Sequence, residues 1–316
     1  MPSFEIRKFT AQDIPQIMEL QQAYQQVYHD AVVIPGEVYL SSGFGDGENI
    51  FCAYDEEGRL QGYAPLLPYL AVEPQTPHTV WAEVKVRAGL TSPREIKDPL
   101  FERVVHRAGE IAQANPGHET HLTFEYHASE TASIEYVMSQ GCAYTESAFR
   151  MVRDLSKSLP LIPAPEKIEV RHWRMESEAE QQAYVQARNE AFPGARVSLA
   201  HWQHFLSSPA WQEGGNAITA LDGEEIVGSV AAYWDEAISQ QIGKRIGITE
   251  YIFVRAKWRR RGIAAYLICQ ALLYLKEHDR EIATLEVSAV NQNALELYRG
   301  LGYEVVQETR MYVLKL

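Results

Sequence analysis

The stretch Arg255-Ala-Lys257-Trp-Arg259-Arg260-Arg261 puts five cations into seven residues. It follows an apolar run, Glu250-Tyr-Ile-Phe-Val254, and leads into Gly262-Ile263-Ala264-Ala265. Beyond that point Ile263, Leu267, Ala271 and Leu275, with Ile268 and Leu272 beside them, recur at helical spacing. The segment therefore reads as a strand, a basic loop and a helix over 262–278. Free N–H groups and the positive dipole end make such a helix start an anion site. Gly262 and Ala264 lack bulk, so the main chain there can approach a phosphate closely, and the arginines add charge-assisted hydrogen bonds. A phosphate-bearing ligand is expected. It is not a P-loop ligand, because no Gly-Lys-Ser/Thr follows.

The elements that must position this loop lie in the second half of the chain. Residues 167–172 read as a strand and 176–192, rich in Ala and Gln, as a helix. A hairpin is expected over 217–221 and 226–234, turning at Asp222-Gly223. Residues 247–254 form a further strand. After the long helix come a strand at 284–288, a helix over 291–301 that Gly300 or Gly302 can end, and a last strand at 311–314.

At 316 residues the chain is about twice a usual domain, and Pro160, Pro163 and Pro165 mark a connector. The expected division is 1–157, a linker at 158–166, and 167–316. The halves show weak self-similarity. Glu5-Ile-Arg7 matches Glu169-Val-Arg171, Gly62 matches Gly228, Val86-Arg-Ala88 matches Val254-Arg-Ala256, and Thr123-Phe-Glu-Tyr126 matches Thr284-Leu-Glu-Val287. Their shared order makes an internal duplication the expectation.

Composition excludes several classes. Hydrophobic residues at 46% against 22% charged describe a packed chain rather than a disordered one. A net charge of −13, most of it in residues 1–160, argues against nucleic acid as a partner. No apolar run is long enough for a membrane helix, and the first residues carry no signal-peptide core. Cys52, Cys142 and Cys269 form neither a disulfide framework nor a zinc set, so a reduced, cytoplasmic setting is expected. No metal site is read from His118, His121 and His127. His201 and His204, with Trp202 and Phe205 beside them, read as packing or a substrate wall.

Two motifs together carry a resemblance. Arg259-x-x-Gly262-x-Ala264 after an apolar strand resembles the acyl-CoA pyrophosphate motif of the GNAT superfamily of N-acyltransferases. The segment Leu285-Glu-Val-Ser-Ala-Val-Asn291-Gln-Asn-Ala294-Leu-Glu-Leu-Tyr298 resembles that family's closing strand and helix. The likeness covers 167–316 well and the first half only through the repeat. It implies an α/β fold with a mixed α+β sheet, built as two tandem GNAT-like domains with a degenerate first copy.

The resemblance also implies roles. The backbone of Ile252, Phe253 and Val254 would bind a pantetheine arm. Arg259, Arg260, Arg261, Gly262, Ile263, Ala264 and Ala265 would cradle the pyrophosphate, and Asn291 and Asn293 would contact the coenzyme. Tyr298 would protonate the leaving thiolate, since a phenol stays neutral at pH 7. On a regular strand Glu250 shares a face with Ile252 and Val254, where its carboxylate could take a proton from an amine. A plain ion pair of Glu250 with Lys244 or Arg245 is the alternative. The expected activity is acetyl transfer from acetyl-CoA to a primary amine by direct attack, on a small molecule or a peptide, without a metal. A coenzyme-binding module without catalysis, and a transferase of another acyl group, stay open, as do the acceptor and the oligomeric state.

Overall fold

A computed structural model describes residues 4–29, 31, 33–71, 76–194 and 196–316. The chain forms two compact units, one running up to Ala148 and including Gln307–Leu316, the other comprising Phe149–Val306. Among the described residues no helix is long and apolar enough to cross a membrane.

In the first unit the chain order is β1 (Glu5–Lys8), α1 (Ile14–Val27), β2 (Ile50–Tyr54), β3 (Leu60–Tyr69), β4 (His78–Ala82), β5 (Lys85–Val86), α2 (Arg94–Ala114), β6 (Thr120–His127), α3 (Thr131–Ser139) and the beginning of β7 (Ala143–Asp154). Strands order as β1-β2-β3-β4-β6, antiparallel except for the parallel pair β4–β6. The α2 residues Ile96, Leu100, Val104 and Ala108, spaced by four, lie over this sheet and are buried with Leu66, Val80 and Phe124.

In the second unit the order is β8 (Glu169–Trp173), α4 (Glu178–Ala191), α5 (Leu199–Leu206), α6 (Pro209–Gly214), β9 (Asn216–Asp222), β10 (Glu225–Tyr233), α7 (Glu236–Ile242), β11 (Ile246–Val254), α8 (Ile263–Glu277), β12 (Ile282–Ser288), α9 (Gln292–Gly300) and the start of β13 (Glu304–Lys315). Its strands run β8-β9-β10-β11-β12, again antiparallel until a parallel last pair, β11–β12. The α8 stripe covers one face of the sheet, burying Leu267, Ala271 and Leu275 with Val230 and Leu285. On the other face α4 and α5 bury Tyr184 and Trp202 with Phe253 and Ala231.

The two units repeat a detail. Gly62 on β3 stands opposite Val86, and Gly228 on β10 stands opposite Val254. At each glycine a Cβ would meet a partner-strand carbonyl, that of Lys85 at 3.0 Å and that of Phe253 at 2.7 Å. Only glycine fits a backbone approached so closely.

The division differs from the one expected at the prolines, for a reason of strand pairing. The end of β7 lies in the second unit, where Leu155 N–H donates to Glu281 O at 2.9 Å and Thr284 Oγ1 donates to Met151 O at 3.1 Å. Residues 309–315 of β13 belong to the first unit, antiparallel to His127 through His121 of β6. Each sheet thus ends on a strand from the other half of the sequence. The expected linker is part of the second unit: Leu159 and Ile162 pack on its core, and Arg153 Nη2 donates to Ser158 O at 2.6 Å. The last strand is also longer than 311–314, since β13 begins at Glu304.

Candidate active site

The pairing of β11 with β12 ends early. Ile246, Gly247 and Ile248 stand opposite Ile282, Ala283 and Thr284, yet β11 continues to Val254 and β12 to Ser288. The strands therefore part after Ile248. Thr249, only 1% exposed, holds the parting point with its side chain: Oγ1 lies 2.9 Å from Tyr303 Oη and 3.3 Å from Thr284 O. The Tyr303 ring lies 6.0 Å from that of Tyr298. Side-chain hydrogen bonds replace the ladder there.

On the opposite edge of β11 the register with β10 shifts. Phe253 stands opposite Ser229 but Glu250 stands opposite Ala231, so β11 carries one extra residue, and Tyr251 sits at φ 51°. A bulge breaks alternation. Tyr251 and Phe253 pack with Tyr184 and Trp202, whereas Ile252 and Val254 pack with the α8 core. Glu250 accepts a hydrogen bond from the hydroxyl of Tyr233, which belongs to the aromatic side. Glu250 therefore shares a face with Tyr251 and Phe253, not with Ile252 and Val254 as regular alternation expects. It forms no ion pair among the described residues; Arg245 pairs with Glu281 instead.

Past the bulge the main chain alternates. Arg255 N–H donates to Val227 O on β10 at 2.8 Å. Phe253 faces β10 likewise, so the amides of Ile252 and Val254 and the Ile252 carbonyl face the parted side, while the Val254 carbonyl is taken by Arg259. Of the three residues expected to offer main-chain bonds, Ile252 and Val254 are placed to do so, and Phe253 is spent on the sheet.

The basic run divides its labour. Arg255 pairs with Glu190 and, at 2.8 Å, with Glu225. Lys257 lies 4.6 Å over the Trp258 ring. Arg259 is tied to carbonyls, Nε to Val254 O at 2.9 Å and Nη2 to Ala191 O at 3.0 Å, so it shapes the loop. Arg260, at φ 63°, and Arg261 are exposed and have no ion pair or hydrogen bond among the described residues.

The helix start that follows is uncapped. Within this unit α4, α5, α6, α7 and α9 have side-chain N-caps from Ser177, Ser198, Ser208, Asp235 and Asn291. The α8 N-cap is Gly262, at φ 76°, with no side chain to give. The Gly262 carbonyl accepts from Tyr266 N–H, so the amides of Ile263, Ala264 and Ala265 precede the ladder. A Cβ on Gly262 would meet nothing within 4 Å, so its need for glycine is the left-handed φ, not crowding.

Tyr298 on α9 is 7% exposed among Leu295, Leu301 and Tyr303, and burial pushes its phenol up to about 12. Its hydroxyl makes no hydrogen bond among the described residues. Asn291 Oδ1 accepts from Ala294 N–H at 3.3 Å and so caps α9, a structural task the sequence reading did not assign. Asn293 is exposed on the same turn. Tyr233, Thr249 and Tyr303 were missed. Sequence pattern does not mark them: Tyr233 ends a strand buried almost throughout, and Tyr303 lies just before the last strand. Among the described residues no three His, Cys, Asp or Glu side chains form a metal-holding group.

Residues 173–303 match the Acetyltransferase (GNAT) family. A GCN5-related N-acetyltransferase from Sphaerobacter thermophilus superposes with a TM-score of 0.74 at 21% identity, covering 99% of this chain and 95% of that one. A tandem GNAT protein from the clavulanic acid biosynthesis pathway gives a TM-score of 0.69 at 14% identity over 99% and 98%. The chain has a GNAT fold. In sequence, N-alpha-acetyltransferase 30 of Xenopus laevis is 32% identical over 93 residues, 29% of this chain and 32% of that relative. The chain thus spans about a third of that relative's length. The GNAT match contains the parted strands, the bulge and the uncapped helix, and leaves out the first unit.

Proposed function

We propose that this chain is a tandem GNAT acetyltransferase with one working centre, in its second unit, that moves an acetyl group from acetyl-CoA to a primary amine by direct attack. What carries the reading is a coincidence within one unit. The β11–β12 pair opens after Ile248, and the strand that leaves the opening runs into a helix start with free amides and two unpaired arginines. Ile252 and Val254 present main-chain groups to the opening, which suits an amide-bearing arm. Arg260, Arg261 and the amides of Gly262, Ile263, Ala264 and Ala265 suit a pyrophosphate. Asn291 and Asn293 stand at the α9 start, on the far lip.

In this mechanism Glu250, held by Tyr233, takes the ammonium proton directly or through a water. An amide of β11 polarises the thioester carbonyl. Tyr298 donates its proton to the departing thiolate, and burial keeps that proton in place until then. The freed amine adds to the carbonyl carbon and the adduct collapses with loss of the carbon–sulfur bond. The nitrogen sheds its second proton as it becomes an amide, which restores the Tyr298 phenol, so no enzyme nucleophile is required.

The test is the full chain with acetyl-CoA and a panel of primary amines, read by free thiol. Amine-dependent thiol release is expected. Tight coenzyme binding with no release for any amine would instead mark a binding module. Faster turnover with a longer acyl-CoA would reassign the acyl group.

A further inference from the structure

Beside Glu250 the second unit presents three partly buried rings. Phe205 of α5 stands 5.2 Å from Tyr233 of β10 and 5.1 Å from Tyr251 of β11, centre to centre. Behind them Trp202, fully buried, meets Tyr251 edge-on at 4.8 Å and Phe205 at 5.1 Å. The trio is therefore the rim of a packed aromatic layer, fixed in place rather than carried on a loop. The bulge brings Glu250 onto the same side, and Tyr233 ties it there through its hydroxyl.

Among the described residues Glu250 forms no ion pair at this rim, and the guanidinium of Arg188 on α4 acts on the hydroxyl of Tyr251. Arg245 pairs with Glu281, and Arg255 with Glu190 and Glu225, but Glu250 has no cationic partner among the described residues. A carboxylate and ring faces both attract a cation. The rings also cover apolar carbon well, and they leave hydroxyls without partners.

We propose that Phe205, Tyr233 and Tyr251, together with Glu250, form the seat of the acceptor, and that the acceptor is a primary amine whose ammonium is flanked by an apolar or aromatic group rather than by hydroxyls or further charges. This rests on the transferase reading above and adds the substrate class to it.

The experiment uses the full chain with phenethylamine, isoamylamine, glucosamine and spermidine. It reads kcat/KM by thiol release and phenethylamine binding by calorimetry without coenzyme. The two apolar amines are expected to exceed glucosamine and spermidine by about tenfold or more. Phe205→Ala should cut that ratio about tenfold and weaken phenethylamine binding, with the KM for acetyl-CoA unchanged. Phe205→Leu, which keeps apolar volume without the ring, should lie between, and it carries the test if the alanine variant does not fold. Equal or faster turnover of glucosamine or spermidine, or a ratio unmoved by both substitutions, overturns the seat. Phenethylamine binding that depends on Phe205, without thiol release from any amine, keeps the seat and sinks the transferase reading. Thiol release from glucosamine alone does the reverse.

Discussion

The proposed base, Glu250, and the proposed acid, Tyr298, must work at one pH. A primary amine of pKa about 10 arrives protonated at neutral pH, so a base is needed there. Burial raises Tyr298 to about 12, so the acid persists well beyond the point where the amine has shed its own proton. Raising the pH therefore removes the task proposed for Glu250 before it removes the proton of Tyr298. Glu250→Gln should therefore be slow at pH 7 and approach the unsubstituted rate between about pH 10 and 11, measured by thiol release. A defect constant over that range would show that Glu250 does not act as the base. Tyr298→Phe should lower kcat about 100-fold and leave the KM for acetyl-CoA nearly unchanged, because the lost hydroxyl acts as the thiolate forms. The fold should tolerate it, since the hydroxyl holds no hydrogen bond. Unchanged turnover under chemistry-limited conditions would remove Tyr298 from the mechanism. The sequence singles out both residues as candidates, Glu250 by strand position and Tyr298 by motif. The face of Glu250 was not legible there, because alternation assumes a ladder without insertions and the bulge at Tyr251 is set by packing against Trp202 and Phe205 from a distant helix.

Among elements, the loop between β11 and α8 shows what a glycine does when space is not the constraint. Gly262 sits at φ 76° with open surroundings, so Gly262→Ala meets no clash but pays about 1–2 kcal/mol for a left-handed alanine. Affinity for CoA, measured by calorimetry, should fall moderately. Gly262→Asp adds a carboxylate beside the free amides and Arg260 and Arg261, the proposed pyrophosphate cradle, and it should lose far more. Equal affinity in the aspartate and alanine variants would place the phosphates elsewhere. Arg259→Ala should differ from Arg261→Ala, since Arg259 fastens Val254 and Ala191 carbonyls and its loss should also lower Tm. Local pattern made β8 to β12 readable to within a few residues, because hydrophobic periodicity and the Asp222-Gly223 turn are written in sequence. The parting of β11 from β12 was not written there. It depends on where Thr249, Thr284 and Tyr303 meet, residues far apart in the chain.

Across the whole molecule the exchange of closing strands was the least legible feature, since nothing local tells β7 or β13 which sheet to join. It also changes how the first unit should be tested. Residues 1–157 alone would lack the β13 strand that pairs with β6, and residues 167–316 alone would lack the β7 strand beside β12, so neither fragment is a fair specimen. The intact chain is. Its first unit parts β4 from β6 after Ala82 and Phe124, as the second parts its own pair, and α3 and α9 are both nine residues long. Its chemistry is different. Where α8 starts at Gly262, α2 follows Pro93 and begins with Arg94. Buried side chains gather near the parted strands: Glu130 accepts from Tyr24 Oη at 2.7 Å and from His127 N–H at 3.0 Å, and Lys85 pairs with Glu83 at 3.0 Å. Removing one partner of such a pair would strand a buried charge, so the cluster does not yield its place readily to a ligand. Calorimetric titration of the full chain should therefore give one CoA per chain, and Gly262→Asp should abolish that single event. A stoichiometry of two, or a full-strength site surviving in Gly262→Asp, would show that the first unit binds the coenzyme after all.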